Sequence, residues 1–117
     1  MVVQAWVRAA PPAATALAAY ATVKNPCASA IVIAGVSGPD FGMSMIHETR
    51  VVKGVSQMRD VESMPIPAMG EVRLAPGGSH IMLMQARRKF KEGDKVRLLF
   101  RLADGRVFPA EFVVRRE

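Results

Sequence analysis

The stretch Pro76-Gly77-Gly78-Ser79-His80-Ile81-Met82-Leu83-Met84 decides how the chain reads. A glycine pair marks a turn, and the residues after it alternate as a β-strand requires, because successive side chains of a strand point to opposite faces. His80, Met82 and Met84 then share one face, while Ile81 and Leu83 take the other, the core face. An ordinary packed face carries branched aliphatics. An imidazole followed by two thioethers is instead a row of borderline and soft donors, the kind a copper ion prefers.

A metal needs donors from more than one strand, and the sequence supplies them. His47 is the only other histidine, and Met58 stands between the two, so that the four residues spell His-x10-Met-x21-His-x-Met. A hairpin gives the first spacing a physical reason. A strand from about Met43 to Val52, a turn at Lys53-Gly54 and a strand from Val55 to Val61 form the commonest two-residue hairpin. Thr49 then lies opposite Met58 and His47 opposite Asp60, which makes His47 and Met58 diagonal neighbours on one face. Diagonal Cβ atoms are about 7 to 8 Å apart or somewhat less, a gap that an imidazole and a thioether can close onto one ion.

At these residues the chain resembles the periplasmic copper chaperones of the PCu(A)C type, which carry this pattern as their Cu(I)-binding signature. Methionine fills 8 of 117 positions, so two prescribed positions would both be methionine by chance only about 0.5% of the time. The likeness also takes in Ala5-Trp6-Val7-Arg8-Ala9, His47-Glu48-Thr49, Pro65-Ile66-Pro67-Ala68 and Lys91-Glu92-Gly93-Asp94, nearly the whole length. It implies a cupredoxin-like Greek-key fold and one Cu(I) held by His47, Met58, His80 and Met82. It further implies an exported, periplasmic metallochaperone without enzymatic activity. Its partner would be a copper-acceptor protein, notably cytochrome c oxidase subunit II or another assembly chaperone.

The residues themselves agree with an all-β chain. Strands are read at Gln4–Ala9, Leu17–Lys24, Ile31–Val36, Glu71–Leu74 and from His80 onward, followed by a strand with Val96, Leu98, Phe100 and Leu102 on one face, an Asp104-Gly105 hairpin turn, and a last strand in which Phe108, Ala110, Phe112 and Val114 alternate. Pro11-Pro12 ends the first strand, and the alanine-rich Ala13–Ala19 would favour a helix if it stood alone. Residues Glu62 to Gly70, with two prolines and no periodicity, read as loop. About eight to nine short strands separated by turns make a β-sandwich or barrel, and 117 residues make a single domain, 1–117.

Composition narrows the rest. No apolar run approaches the roughly 18 residues of a membrane-spanning helix, and Met1-Val2-Val3-Gln4 lacks a basic n-region, which for an exported family implies a trimmed, mature chain. Cys27 is the only cysteine, so no disulfide framework exists, and a packing role in the Asn25-Pro26-Cys27 turn is favoured over ligation. The net charge of +6 is concentrated late: residues 87 to 117 carry ten basic and five acidic side chains, densest at Arg87-Arg88-Lys89-Phe90-Lys91. Phe90 is the only aromatic within that run and no recognition motif accompanies it, so nucleic acid is not expected as a partner.

Two rival functions define the choice. A metal-free binding module would use the basic C-terminal strands to dock an anionic partner. A copper redox enzyme would ordinarily place a cysteine beside the histidines, and Cys27 is not spaced with them. The preferred reading is the monomeric Cu(I) carrier. Two neutral imidazoles and two thioethers form a mostly soft set, unlike the oxygen sites of hard cations or the Cys, His and carboxylate sites of zinc. Met43, Met45 and Met84 share the faces of His47 and His80, and Met64 and Met69 lie in the Pro-rich segment; these read as packing, a soft rim or a second weak site.

Overall fold

A computed structural model describes residues 2–9, 16–61, 63–76, 78–87 and 89–115, with only the backbone at 50, 58 and 59. It contains β1 (Val2–Arg8), β2 (Leu17–Lys24), β3 (Ile31–Ser37), β4 (Phe41–Val52), β5 (Val55–Val61), β6 (Met64–Ile66), β7 (Glu71–Leu74), β8 (His80–Ala86), β9 (Lys95–Leu102) and β10 (Val107–Arg115). The expected Pro11-Pro12 stop and most of the alanine-rich stretch lie outside the described residues.

The strands run in the order β5-β4-β8-β2-β1-β10-β9-β3-β6, with β7 also paired to β2. Among the described residues every strand pair is antiparallel except β1 with β10, where the first and last strands lie side by side. The sheet curls until β3 packs against β4, which gives the β-sandwich. Between the layers, Val7, Ile46, Ile81 and Leu83 meet Ile33, Ile66, Leu98, Phe100 and Phe112 in one core cluster. Each such large apolar side chain contributes about 1.5 to 3 kcal/mol by leaving water. Alternation is obeyed most strictly in β9, where Val96, Leu98, Phe100 and Leu102 are all buried and Arg97 and Arg101 point out.

Three details differ from the sequence reading. The segment taken as loop contains β6, whose Met64 and Ile66 are buried against Ile33 and Ile31 of β3. Only three residues pair, and Pro65 between them, lacking an N–H, sits on the outer edge of the sheet, so no strand signal could build up. Ten strands are thus present among the described residues, where the sequence reading expected about eight to nine. The Pro76–Ser79 segment does not reverse the chain. β7 and β8 lie one after the other on the same edge of β2, as Leu74 pairs with Ala21 and Ile81 with Ala19. It is an excursion in one antiparallel run, closed by Ala75 N donating to Ser79 O at 3.0 Å and Gly78 N to Ala75 O at 3.0 Å.

The buried amide of Asn25 holds this end of the sandwich. Its Nδ2 donates to the carbonyls of Ser29, Ile66 and Pro67 at 3.0 to 3.2 Å, and its Oδ1 accepts from Cys27 N. Every polar atom of the side chain is thus satisfied, which is what allows an amide to be buried. Cys27 itself is exposed and free.

Candidate metal centre

Strand β4 lies between β5 and β8, and that placement assembles the candidate donors. Its pairing with β8 sets His47 opposite His80, Met45 opposite Met82 and Met43 opposite Met84. Its pairing with β5 sets His47 opposite Asp60 and Thr49 opposite Met58, so position 58 is diagonal to position 47, as the two-residue turn requires. Lys53 and Gly54 of that turn both have positive φ, 53° and 79°, the signature of a type I′ turn whose twist matches the strands.

The opposite face of the same strands is closed by Ile46, Ile81 and Leu83, at most 3% exposed. Alternation therefore forces the neighbouring residues, His47, His80 and Met82, onto the outer face. His80 is nearly closed off from solvent. It is only 9% exposed, with the Tyr20 ring 6.4 Å away and the His47 ring at 5.8 Å, nearly edge-on at 77°. Tyr20 in turn rests on Trp6 at 4.8 Å, so the aromatic pair walls the site on the β1 side.

Hydrogen bonding leaves each imidazole one nitrogen to spare. His47 Nε2 donates to Asp60 Oδ1 at 2.8 Å, and its Nδ1 is buried with no partner. His80 Nδ1 lies 3.3 Å from the Gly78 carbonyl and donates to it, which frees Nε2 as a lone pair. Metal-binding histidines usually present this arrangement, one nitrogen anchored to a carboxylate or carbonyl and the other on the ion. Distances fit as well. Two imidazoles bound at about 2 Å to one ion have ring centres roughly 5 to 6.5 Å apart, which brackets the observed 5.8 Å.

Asp60 and the Gly78 carbonyl were not among the residues read as functional. The register of the β4–β5 hairpin already placed Asp60 opposite His47, so its role as an anchor was available from the turn length. The carbonyl of Gly78 was not, because it depends on the excursion's shape. In the basic run, Phe90 stacks on Phe41 at 5.3 Å, which commits that ring to the protein's own packing.

Comparison with known proteins identifies a family and a fold. The family described as "Putative lipoprotein LpqE-like" matches residues 1–114. "Putative lipoprotein Lxx21020" of Leifsonia xyli subsp. xyli is 35% identical over 113 residues, covering 96% of this chain and 67% of that protein. Among solved structures, the copper-bound PCuAC domain from PmoF2 superposes with a TM-score of 0.80 at 20% identity, over 99% of this chain and 92% of that one, a likeness of fold. The solution structure of CuI-DR1885 from Deinococcus radiodurans gives a TM-score of 0.76 at 32% identity, over 97% of this chain and 76% of that one.

Proposed function

We propose that this chain, which belongs to the LpqE-like family and has the PCuAC fold, is a periplasmic Cu(I) metallochaperone. It is not an enzyme. Residues 1–117 form a single copper-carrying domain, and the cargo ion is held by His47, His80, Met82 and Met58. The observation that carries this reading is the pair of facing imidazoles, each anchored through one nitrogen, with the buried Nδ1 of His47 otherwise unpartnered. A relative solved with Cu(I), at 32% identity, supports the choice of ion.

The ligand chemistry suits a carrier. Thioethers are weak donors singly and neutral at every pH, and imidazoles ligate only when neutral, so the protein holds the ion by geometry rather than by charge. The ion keeps its full positive charge on the outer face of the sheet. An acceptor's thiolate or imidazole can then replace the protein's donors one at a time, each step trading one bond for another with no change in oxidation state.

The acceptor that fits is the binuclear copper centre of cytochrome c oxidase subunit II during assembly. No helix among the described residues is long and apolar enough to cross a membrane, and the lipoprotein names of the relatives are in keeping with an exported protein. The test is transfer. Cu(I)-loaded chain mixed with the copper-free soluble domain of subunit II should lose one equivalent and, on oxidation, develop the visible absorption of the binuclear centre. Copper retained on this chain in the presence of excess acceptor would rule that acceptor out.

A further inference from the structure

The outer face of β4 and β8 does not end at the histidines. Below the His47–His80 pair, the same register stacks Met45 opposite Met82 and then Met43 opposite Met84, two successive thioether rungs on one face. Directly opposed residues in an antiparallel pair have Cβ atoms about 4.5 to 5.5 Å apart, and methionine has three rotatable bonds to bring its sulfur inward. Exposure falls along the ladder towards the histidines. Met43 is 46% exposed, Met45, Met82 and Met84 are half-buried, and His80 is 9% exposed. Met45 also borders a cleft of about 480 Å³, whose wall includes Asp60 of β5 and Arg101 of β9.

Packing alone gives little reason for this composition. Methionine is the side chain that specifies a packed surface least, because it is flexible. On the core side of the same two strands the chain uses Ile46, Ile81 and Leu83 instead. No carboxylate pairs with the ladder positions in the β4–β8 register, and Asp60, which borders the cleft beside Met45, is engaged by His47 Nε2 at 2.8 Å; the ladder itself offers none of the oxygen ligands that hard cations use. A set made of soft thioethers favours Cu(I).

We propose that Met43, Met45 and Met84 form a second, weaker Cu(I) site, and that the ion passes between it and the histidine site through Met82, the residue opposite Met45. The proposal rests on the reading of the protein as a Cu(I) carrier and names its route of loading. Three thioethers bind more weakly than a set containing two imidazoles, so the ion moves down a gradient from the exposed rung to the buried one. In each step one copper–sulfur bond breaks as one copper–sulfur or copper–nitrogen bond forms. Copper remains Cu(I), and neutral ligands release no proton.

The experiment is a titration of the full chain, labelled with ¹³C at the methionine methyls, with Ag(I) as a redox-inert probe and then with Cu(I) under reducing conditions. The first equivalent should shift the methyls of Met58 and Met82, and the second those of Met43, Met45 and Met84. In the double variant Met43→Leu/Met84→Leu, which conserves volume and so should fold, the second equivalent should be lost while the affinity for the first stays within about twofold. A second equivalent that persists in the double variant, or that shifts none of these three methyls, would overturn the ladder. The two readings separate cleanly. Response of Met58 and Met82 alone would sink the ladder and keep the histidine site, whereas response of Met43, Met45 and Met84 alone would do the reverse.

Discussion

Two hairpins of this molecule are built alike and used differently. β9–β10 pairs seven positions from Lys95↔Val113 to Arg101↔Val107, and β4–β5 pairs seven from Ile46↔Val61 to Val52↔Val55. In β9–β10 the inner residues Val96, Leu98, Phe100, Phe112 and Val114 are at most 1% exposed, and the charges lie outside. In β4–β5 the order is inverted. Val51, Val52 and Val55 stand 42 to 73% exposed at the tip, whereas the His47 side chain is 13% exposed. A hairpin that leaves its tip valines in water and withdraws a histidine is the arrangement expected if that histidine is kept for ligation.

The sharpest way to break that contrast is to damage the packing hairpin. Phe112→Ala should lower stability by about 3 to 5 kcal/mol, read by urea unfolding, because the ring is fully buried against Phe100 and the vacated space cannot collapse. The protein that remains folded should still take up Cu(I) with unchanged stoichiometry. A comparable loss of stability from a change at the tip, Val55→Ala, would erase the distinction between the hairpins.

A change in the ligating hairpin should do the opposite. Asp60→Asn removes the carboxylate anchoring His47 Nε2 and should weaken Cu(I) about 10- to 100-fold, the usual cost of losing a partner behind a metal ligand. Stability should move by less than about 1 kcal/mol, since Asp60 is 68% exposed and solvent screens the pair. Affinity unaltered in chelator competition would mean that Asp60 does not orient the ring.

The smallest effect expected is at the β9–β10 turn. The Asp104 carboxylate is held below its ordinary value of 3.8 chiefly by the backbone N–H of Arg106, with help from that residue's side chain. A lowered value in the folded state makes the carboxylate's contribution present above about pH 3.8 and lost as pH falls through the folded value. Melting curves of Asp104→Asn and the parent should therefore differ slightly at pH 7 and converge in acid. Divergence on acidification would reverse the assigned sign.

How far the sequence could be read follows the same division. Where alternation met a turn with defined chemistry, as at Lys53-Gly54, the register and the strand ends of β5 followed directly, and with them the diagonal between positions 47 and 58. The Asp104-Gly105 turn was legible too, although Leu102 N donates to Arg106 O, which makes its loop three residues with Gly105 at φ 94° rather than two. Three features left no local signal. β6 is too short and proline-bearing to show a period, the Asn25 amide acts on carbonyls about forty positions away, and the Pro76–Ser79 excursion depends on β2 lying alongside both β7 and β8. Each is fixed by a partner distant in the chain. The two histidines were legible as candidate donors, but the burial of His80 was not, since it lies beside Tyr20 of β2, which in turn rests on Trp6 of β1.

In the proposed function, the outer face of β4, β5 and β8 holds one tight Cu(I) through sulfur as well as nitrogen. The measurement that tests this most directly is a Cu(I) competition titration against a chromophoric chelator under reducing conditions, run on the intact chain beside Met82→Leu. Leucine keeps the bulk, with a stability change below about 1.5 kcal/mol, and removes the sulfur. One tight equivalent is expected on the intact chain, weakened at least about tenfold in the variant, as disturbance of a metal's ligand set does. Equal affinity in the two proteins, or no competition by the intact chain, would contradict it.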